Sequence, residues 1–397
     1  MRRSASMRRE RRARVGLAAL AALVALATGC PGPPPRPVTA STDRPSRDEE
    51  TRLTRQYDEL QDDILTSYDR DEPLELGTGL IDPRIGAYRI GVGPDDVYPA
   101  GAAASRWPIE VDRLSRPEVR SKRLEIQIAL DQTAGWMSDE LSWRIRLCER
   151  TVVIPLRITA LYARDGDRWV AVFEHLSFAR PPTPLDAPPV RPIKTEVASG
   201  DLRDELSGVL ARSLFHEPHD PLVAAQSGGA LVLGPGIADE WHDAQVLQAH
   251  TCSASIPAGQ PCLPAGTLED RRVGLVGRSA DTATVAYWIG NYNAGYPARP
   301  GAPAGKLAMR VTHVFEKRWF AERDGLPVDG KSCGLDDSQA RDPTRRKDVQ
   351  EHCRWMLVQT HMSQPITDDE LTRLVFGTAL VSLKPLRLDC ASVPARD

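Results

Sequence analysis

Apolar residues follow three kinds of pattern along this chain, and each predicts an element. Leu53, Tyr57, Leu60, Ile64 and Tyr68 recur at spacings of three and four, which places them on one face of a helix, and Ser46 with Glu49 suits a capping box at its start. Leu202, Leu206, Val209, Leu210 and Ser213 repeat the helical spacing behind Asp201. Alternation takes over from Ile154 to Ala163 and again from Arg168 to Phe178, around Arg164-Asp165-Gly166-Asp167, and this predicts a β-hairpin. With Asp165 and Gly166 as the turn residues, Leu156 faces His175, Ile154 faces Ser177 and Arg157 faces Glu174. One face then carries Ile154, Leu156, Ile158, Ala160 and Tyr162 with Trp169, Ala171, Phe173, His175 and Ser177, and the other an Arg157–Glu174 ion pair. The third pattern is the uncharged run from Val15 to Thr28, shorter than the roughly 20 residues a membrane span needs.

That run follows an Arg-rich start and closes on Leu26-Ala27-Thr28-Gly29-Cys30, which reads as an export signal and resembles a bacterial lipoprotein signal with Cys30 as the lipidated residue. Residues 1–29 are thus a signal peptide and 30–47 a Pro-rich tether. The expected location is the bacterial envelope, lipid-anchored and facing the periplasm, at the outer rather than the inner membrane. The net charge is −3; the first 29 residues hold seven Arg against one Glu, so the remainder stands at −9, which argues against nucleic acid as a partner. Seven cysteines leave six besides Cys30, without CxxC spacing. Loop disulfides are expected at Cys252–Cys262 and Cys333–Cys353. Cys148 and Cys390 remain, paired by elimination or left as separate buried thiols. No cofactor and no metal site is expected; His216-Glu217-Pro218-His219-Asp220 reads as an exposed loop.

The chain also repeats itself. Val92-Gly93-Pro94 matches Leu233-Gly234-Pro235, Thr133-Ala134 matches Thr282-Ala283, and Leu156-Arg157-Ile158-Thr159 matches Met309-Arg310-Val311-Thr312. Arg168-Trp169 followed by His175-Leu176-Ser177 matches Arg354-Trp355 followed by His361-Met362-Ser363. The third match is offset by 153 positions and the fourth by 186, so the second copy carries 33 extra residues between them, including Cys333 and Cys353. A Pro-rich break between Pro181 and Pro192 separates the copies, giving domains at 48–180 and 198–390 with a linker at 181–197.

The order of helix, Gly-Pro element and strands, ending in Arg-Asp-Gly-Asp-Arg-Trp and His-x-Ser, resembles the nuclear transport factor 2-like superfamily, in particular its SnoaL-like branch. Residues 154–181 carry most of this resemblance, and Gly234-Pro235-Gly236 with Glu240-Trp241 adds to it. It implies an α+β fold of two tandem cone domains, each a curved, mostly antiparallel sheet wrapped over helices with a cavity at its open end. Members often dimerise through their sheets, so two copies imply an internal pseudo-dimer.

A cavity would take its chemistry from the concave face. Transferring the hairpin register to the second copy places Leu307, Met309, Val311, His313 and Phe315 with Trp355, Leu357, Gln359, His361 and Ser363. His313 and His361 are then the candidate acid/base pair. Gln359, Ser363, Trp355, His175, Ser177 and Trp169 are candidate ligand contacts. The alternative is that His175 and His361 are structural, each bonded to a neighbouring Ser or backbone group. No Asp falls on either last-strand concave face, where the acid/base enzymes of the superfamily commonly carry one. The leading expectation is therefore a non-enzymatic, lipid-anchored envelope protein that binds a partner protein or a small apolar ligand. The alternative is a cavity enzyme of isomerase, cyclase or dehydratase type.

Overall fold

A computed structural model describes residues 47–68, 87–98, 118–147, 150–178, 196–197, 200–211, 230–236, 239–242, 265–276, 282–298, 300–301, 303–321, 327–367, 370–371, 382–383 and 386–387. Cys30, Cys148, Cys252, Cys262 and Cys390, the signal peptide, the His216–Asp220 segment and most of 181–197 lie outside the described residues. Among the described residues no helix is long and apolar enough to cross a membrane.

Helix α1 (Arg47–Tyr68) forms where the apolar spacing predicts it, and Leu60, Ile64 and Tyr68 are its buried apolar side chains. The strands that follow are β1 (Tyr88–Ile90), β2 (Val97–Tyr98), β3 (Glu118–Ser121), β4 (Glu125–Ile128), β5 (Ala134–Leu147), β6 (Arg150–Asp165) and β7 (Arg168–Ser177). They form a sheet in the order β2-β1-β7-β6-β5-β3, with β4 also on β5. A short β8 (Glu196–Val197) and helix α2 (Gly200–Leu210) lead into β9 (Leu231–Leu233), β10 (Glu240–Trp241), β11 (Ala265–Val276), β12 (Val285–Tyr296), β13 (Gly305–Phe320), β14 (Pro327–Ser332), helix α3 (Pro343–His352) and β15 (Cys353–Ser363). The second sheet runs β10-β9-β15-β13-β12-β11-β8, with β14 on β13. A last pair, β16 (Ser382–Leu383) and β17 (Leu386–Arg387), stands apart. The fold is thus mixed α+β, with curved mixed sheets and few helices.

The two sheets correspond strand by strand. In each, the short strand before a glycine loop pairs in parallel with the last long strand: Ile90 lies beside His175, and Leu233 beside His361. This equivalence shifts two of the sequence matches by two residues. Gly91 and Gly93 correspond to Gly234 and Gly236, and Thr133, whose carbonyl accepts from Arg164 N, corresponds to Thr284, whose carbonyl accepts from Lys317 N. The other two matches hold in register. Both sheets belong to one unit, Pro45–Asp397.

Each sheet has a core on its helix side. Leu60 and Ile64 of α1 pack with Ile154, Leu156, Ile158, Ala160, Tyr162 and Trp169. Leu202, Leu206, Val209 and Leu210 of α2 pack with Met309, Val311, Phe315, Trp355 and Leu357. A third core joins the sheets: Tyr88, Ile90, Trp136, Leu161 and Phe173 of the first meet Val285, Tyr287, Ile289, Val314 and Val358 of the second.

The hairpin forms, but in a different register. Asp165 pairs with Arg168, so Gly166 and Asp167 are the turn residues, and Gly166 takes the left-handed φ of 63° that the tight turn needs. A β-bulge then leaves Val172 unpaired between Leu161–Phe173 and Tyr162–Ala171. One extra residue inverts the alternation. Trp169 and Ala171 stay on the helix face, whereas Phe173, His175 and Ser177 turn to the opposite face beside Leu161, Thr159 and Arg157. The expected Arg157–Glu174 pair is accordingly absent: Glu174 meets Arg89 at 3.3 Å and Arg157 stands opposite Ser177. The second sheet repeats the bulge at Val358, between Val314–Gln359 and Phe315–Leu357.

Of the expected disulfides, Cys333–Cys353 is formed and ties the end of β14 to the start of β15 across the insertion that carries α3. Ile64, fully buried in the helix-side core, and Leu65, 36% exposed, give a paired test of that packing. Ile64→Ala should lower unfolding free energy by about 2–4 kcal/mol, and Leu65→Ala by well under 1, in urea titrations.

Candidate functional site

The bulges place the polar residues of the last strands between the sheets rather than in a helix-lined cavity. The rings of His175 and His361 stack there at 4.0 Å between centroids and 24° between planes. Their hydrogen bonds are reciprocal. His175 Nδ1 lies 3.1 Å from Thr312 Oγ1 and its Nε2 2.7 Å from Ser363 Oγ, while His361 Nδ1 lies 3.1 Å from Thr159 Oγ1 and its Nε2 2.8 Å from Ser177 Oγ. Every bond runs from one sheet to the other. A neutral imidazole offers one donor and one acceptor, and a hydroxyl can answer either, so four bonds satisfy both rings without a charge. Burial pushes the His361 ring down to about 3, with the Arg157 guanidinium adding to the effect. Burial likewise holds His175 well below the ordinary histidine value, helped by His361 and Arg310.

Two buried arginines extend the exchange. Arg157 Nη1 donates to Gly236 O at 2.8 Å, with Gly234 O and Asp239 O at 3.4 Å, and Arg310 Nη2 donates to Pro94 O. Each arginine therefore closes the glycine loop of the opposite sheet. The loops are alike inside: Asp96 Oδ2 accepts from Gly93 N at 2.7 Å and Asp239 Oδ2 from Gly236 N at 2.7 Å. A Cβ at Gly93 or Gly236 would come within 2.8 or 2.9 Å of those same oxygens, which accounts for glycine at both places.

The structure does not bring His313 and His361 together. His313 pairs with Thr360 and faces the helix side, where its Nδ1 lies 2.9 Å from Thr360 Oγ1, whereas His361 faces the other sheet. Burial pushes His313 down to about 3, so on either face the imidazoles are held neutral. Gln359 also faces the first sheet and donates to Met137 O at 3.0 Å; Ser177 and Ser363 are the partners of the histidines. Trp169 and Trp355 lie in the two helix-side cores. The candidate contacts thus divide among three packed regions.

Sequence reasoning missed two features. The first is Thr159 and Thr312, present in the matched blocks but assigned no role; their recurrence opposite recurring His residues was the available signal. The second is a cleft of about 480 Å³ bordered by Asp131, Thr133 and Arg164 from one half and by Val276, Thr282, Ser332 and Gly334–Asp337 from the other. Its walls come from segments far apart in the chain, and no spacing announces it.

The chain matches no family model and no curated protein. Among solved structures it is similar to the CamKII hub homology domain of Chlamydomonas reinhardtii, at 10% identity over 33% of this chain and 95% of that one, with a TM-score of 0.20. A likeness of that size decides nothing about fold or function.

Deleting one ring should cost more than one hydrogen bond, because it takes the ring partner from two buried hydroxyls and leaves a void beside the second ring. We expect His361→Ala to lower unfolding free energy by about 3 kcal/mol and Ser177→Ala by about 1–2, with a coupling of about 1 kcal/mol in the double mutant; additive effects would deny the contact. A pH dependence follows as well. Between the folded value of about 3 for His313 and His361 and the ordinary value of 6.5, the unfolded chain binds protons that the folded chain refuses. Stability should therefore fall as pH falls through that window, by up to about 1.4 kcal/mol per pH unit for each histidine. Burial raises the Glu316 and Asp139 carboxyls and works in the opposite sense in acid, so the histidine contribution is read by difference. Urea midpoints measured from pH 7.5 to 5 should show a shallower slope for His313→Gln than for the parent chain, and equal slopes would contradict the assignment.

Proposed function

We propose that this chain is a non-enzymatic, lipid-anchored envelope protein in which two nuclear transport factor 2-like halves form an internal pseudo-dimer that serves as a binding scaffold. The observation that carries this reading is the use made of the polar side chains. His175, His361, Ser177, Ser363, Thr159 and Thr312 are buried and answer one another across the sheets. A group held neutral, bonded at both ring nitrogens and without solvent exposure has no substrate to reach, and a general acid or base needs that access. The arrangement is that of an isologous interface, in which residue i meets j and its equivalent j meets i.

Between the two occupants expected from the sequence, the cleft shared by the sheets favours a partner protein over a small apolar ligand. Asp131, Arg164, Asp336 and Asp337 bring four charged side chains to its walls, beside the apolar Ala163, Val276 and Leu335. Apolar ligands are usually held in pockets with only a few placed polar groups. The tether from Cys30 to α1 would let the folded part stand off a bilayer and meet such a partner.

The test uses the intact chain in a Gram-negative host. A photo-cross-linking residue at Leu335 should yield one adduct of discrete added mass in the membrane fraction, and Cys30→Ser should move the chain to the soluble periplasmic fraction with its fold intact. Uncross-linked chain alone would count against the binding reading, and a Cys30→Ser chain that still pellets with membranes would count against the anchor.

A further inference from the structure

At the edge where β4 approaches β10, side chains from the two sheets converge on one point. Glu125, Glu240 and His242 offer ligand atoms that all lie within 4.8 Å of one another. Arg123 Nη2 sits among them, 2.9 Å from Glu125 Oε1, 2.7 Å from Glu240 Oε1 and 3.3 Å from His242 Nε2. A cationic nitrogen thus occupies the centre of an imidazole-plus-two-carboxylate set. Behind it is a void of about 10 Å³, the size of a single water, bordered by Glu125, Asp139, Glu140, Glu240, Arg123 and Arg157. Four carboxylates face two guanidiniums there. Asp139, only 2% exposed, also borders this void, and its Oδ1 accepts from Arg123 N at 3.1 Å.

We propose that Glu125, Glu240 and His242 form a zinc site that fastens the two sheets together, with Arg123 holding the place of the metal until zinc displaces it. Mixed nitrogen and carboxylate donors suit Zn²⁺, which takes three protein ligands and leaves a fourth position for water. The excess of carboxylates around the void suits a divalent rather than a monovalent cation. Arg123 can swing out to solvent, because its side chain is 48% exposed and its pair with the 36% exposed Glu125 contributes little. Because Glu125 comes from one sheet and Glu240 and His242 from the other, bound zinc clips the sheets at their rim, away from the histidine stack. The inference is independent of the scaffold reading.

The experiment is calorimetric titration of the full chain, stripped with chelator, with zinc chloride alone, paired with thermal unfolding. The proposal expects one zinc per chain and a melting temperature that rises with zinc. His242→Ala and Glu240→Gln should each weaken binding at least tenfold and remove the thermal shift, while Arg123→Ala should tighten binding several-fold by removing the competing cation. Zinc binding unchanged in His242→Ala and Glu240→Gln would place the metal elsewhere and overturn the proposal. Absence of binding to the parent chain would overturn it as well, including the case in which only Arg123→Ala binds, since the native guanidinium then keeps the position. Should Arg123→Ala fail to fold, the parent chain and His242→Ala decide the question by themselves.

Discussion

The structure depends on a pair of imidazoles that can be buried only because each finds its hydrogen bonds on the opposite sheet. A desolvated polar group left without a partner costs about 1–3 kcal/mol, whereas a matched bond contributes about 1. His175 and His361 each carry two ring nitrogens into a region of no solvent exposure, so four such debts would fall due together if the sheets separated without water reaching them. The partners, Thr159 with Ser177 on one side and Thr312 with Ser363 on the other, come from equivalent positions of two matched sheets. Arg157 and Arg310 carry the same logic outward to the glycine loops. A buried polar network of this kind fixes one relative placement of the sheets, because a small slide would break several bonds at once.

The bulges make this possible. A regular strand that sent Trp169 and Ala171 to the helix side would send Phe173, His175 and Ser177 there too, and the histidines would then sit among aliphatic side chains with few acceptors. Leaving Val172 and Val358 unpaired inverts the second half of each strand, so one strand serves two cores. The halves have diverged on their helix faces. Glu174 meets Arg89 in the first sheet, and at the equivalent place in the second Thr360 meets His313. Between the sheets the histidines and their hydroxyl partners match, although Phe173 of the first sheet corresponds to Gln359 of the second.

Much of the fold was legible in the sequence, because it rests on periodicity. The spacing of Leu60, Ile64 and Tyr68 gave α1, the Asp-Gly turn signal gave a hairpin between β6 and β7, and the repeated Arg-x-Thr and His-x-Ser blocks gave the correspondence of the sheets in the correct register. The faces were not legible. Alternation assigns a side only until the first inserted residue, and Trp169 to Phe173 reads as a continuous apolar run in which no single position announces the bulge. For that reason the sequence assigns His175 and His361 to cavity faces and pairs His361 with His313, which is on the opposite face. The rim cluster was out of reach for another reason: Glu125 and His242 are separated by more than a hundred positions, and only the pairing of the sheets brings them together.

The central claim is that the two halves form one body through the histidine interface, and cutting the chain between them tests it most directly. A protease site placed between Pro181 and Pro192 of the intact chain allows cleavage after folding, with reductant present to remove any covalent tie. The account predicts that the two fragments, separate on a denaturing gel, still elute together at the size of the uncut protein on gel filtration, and that His175→Ala with His361→Ala releases them. Fragments that part on cleavage in the parent chain would contradict it, and would leave two independent domains that merely lie side by side.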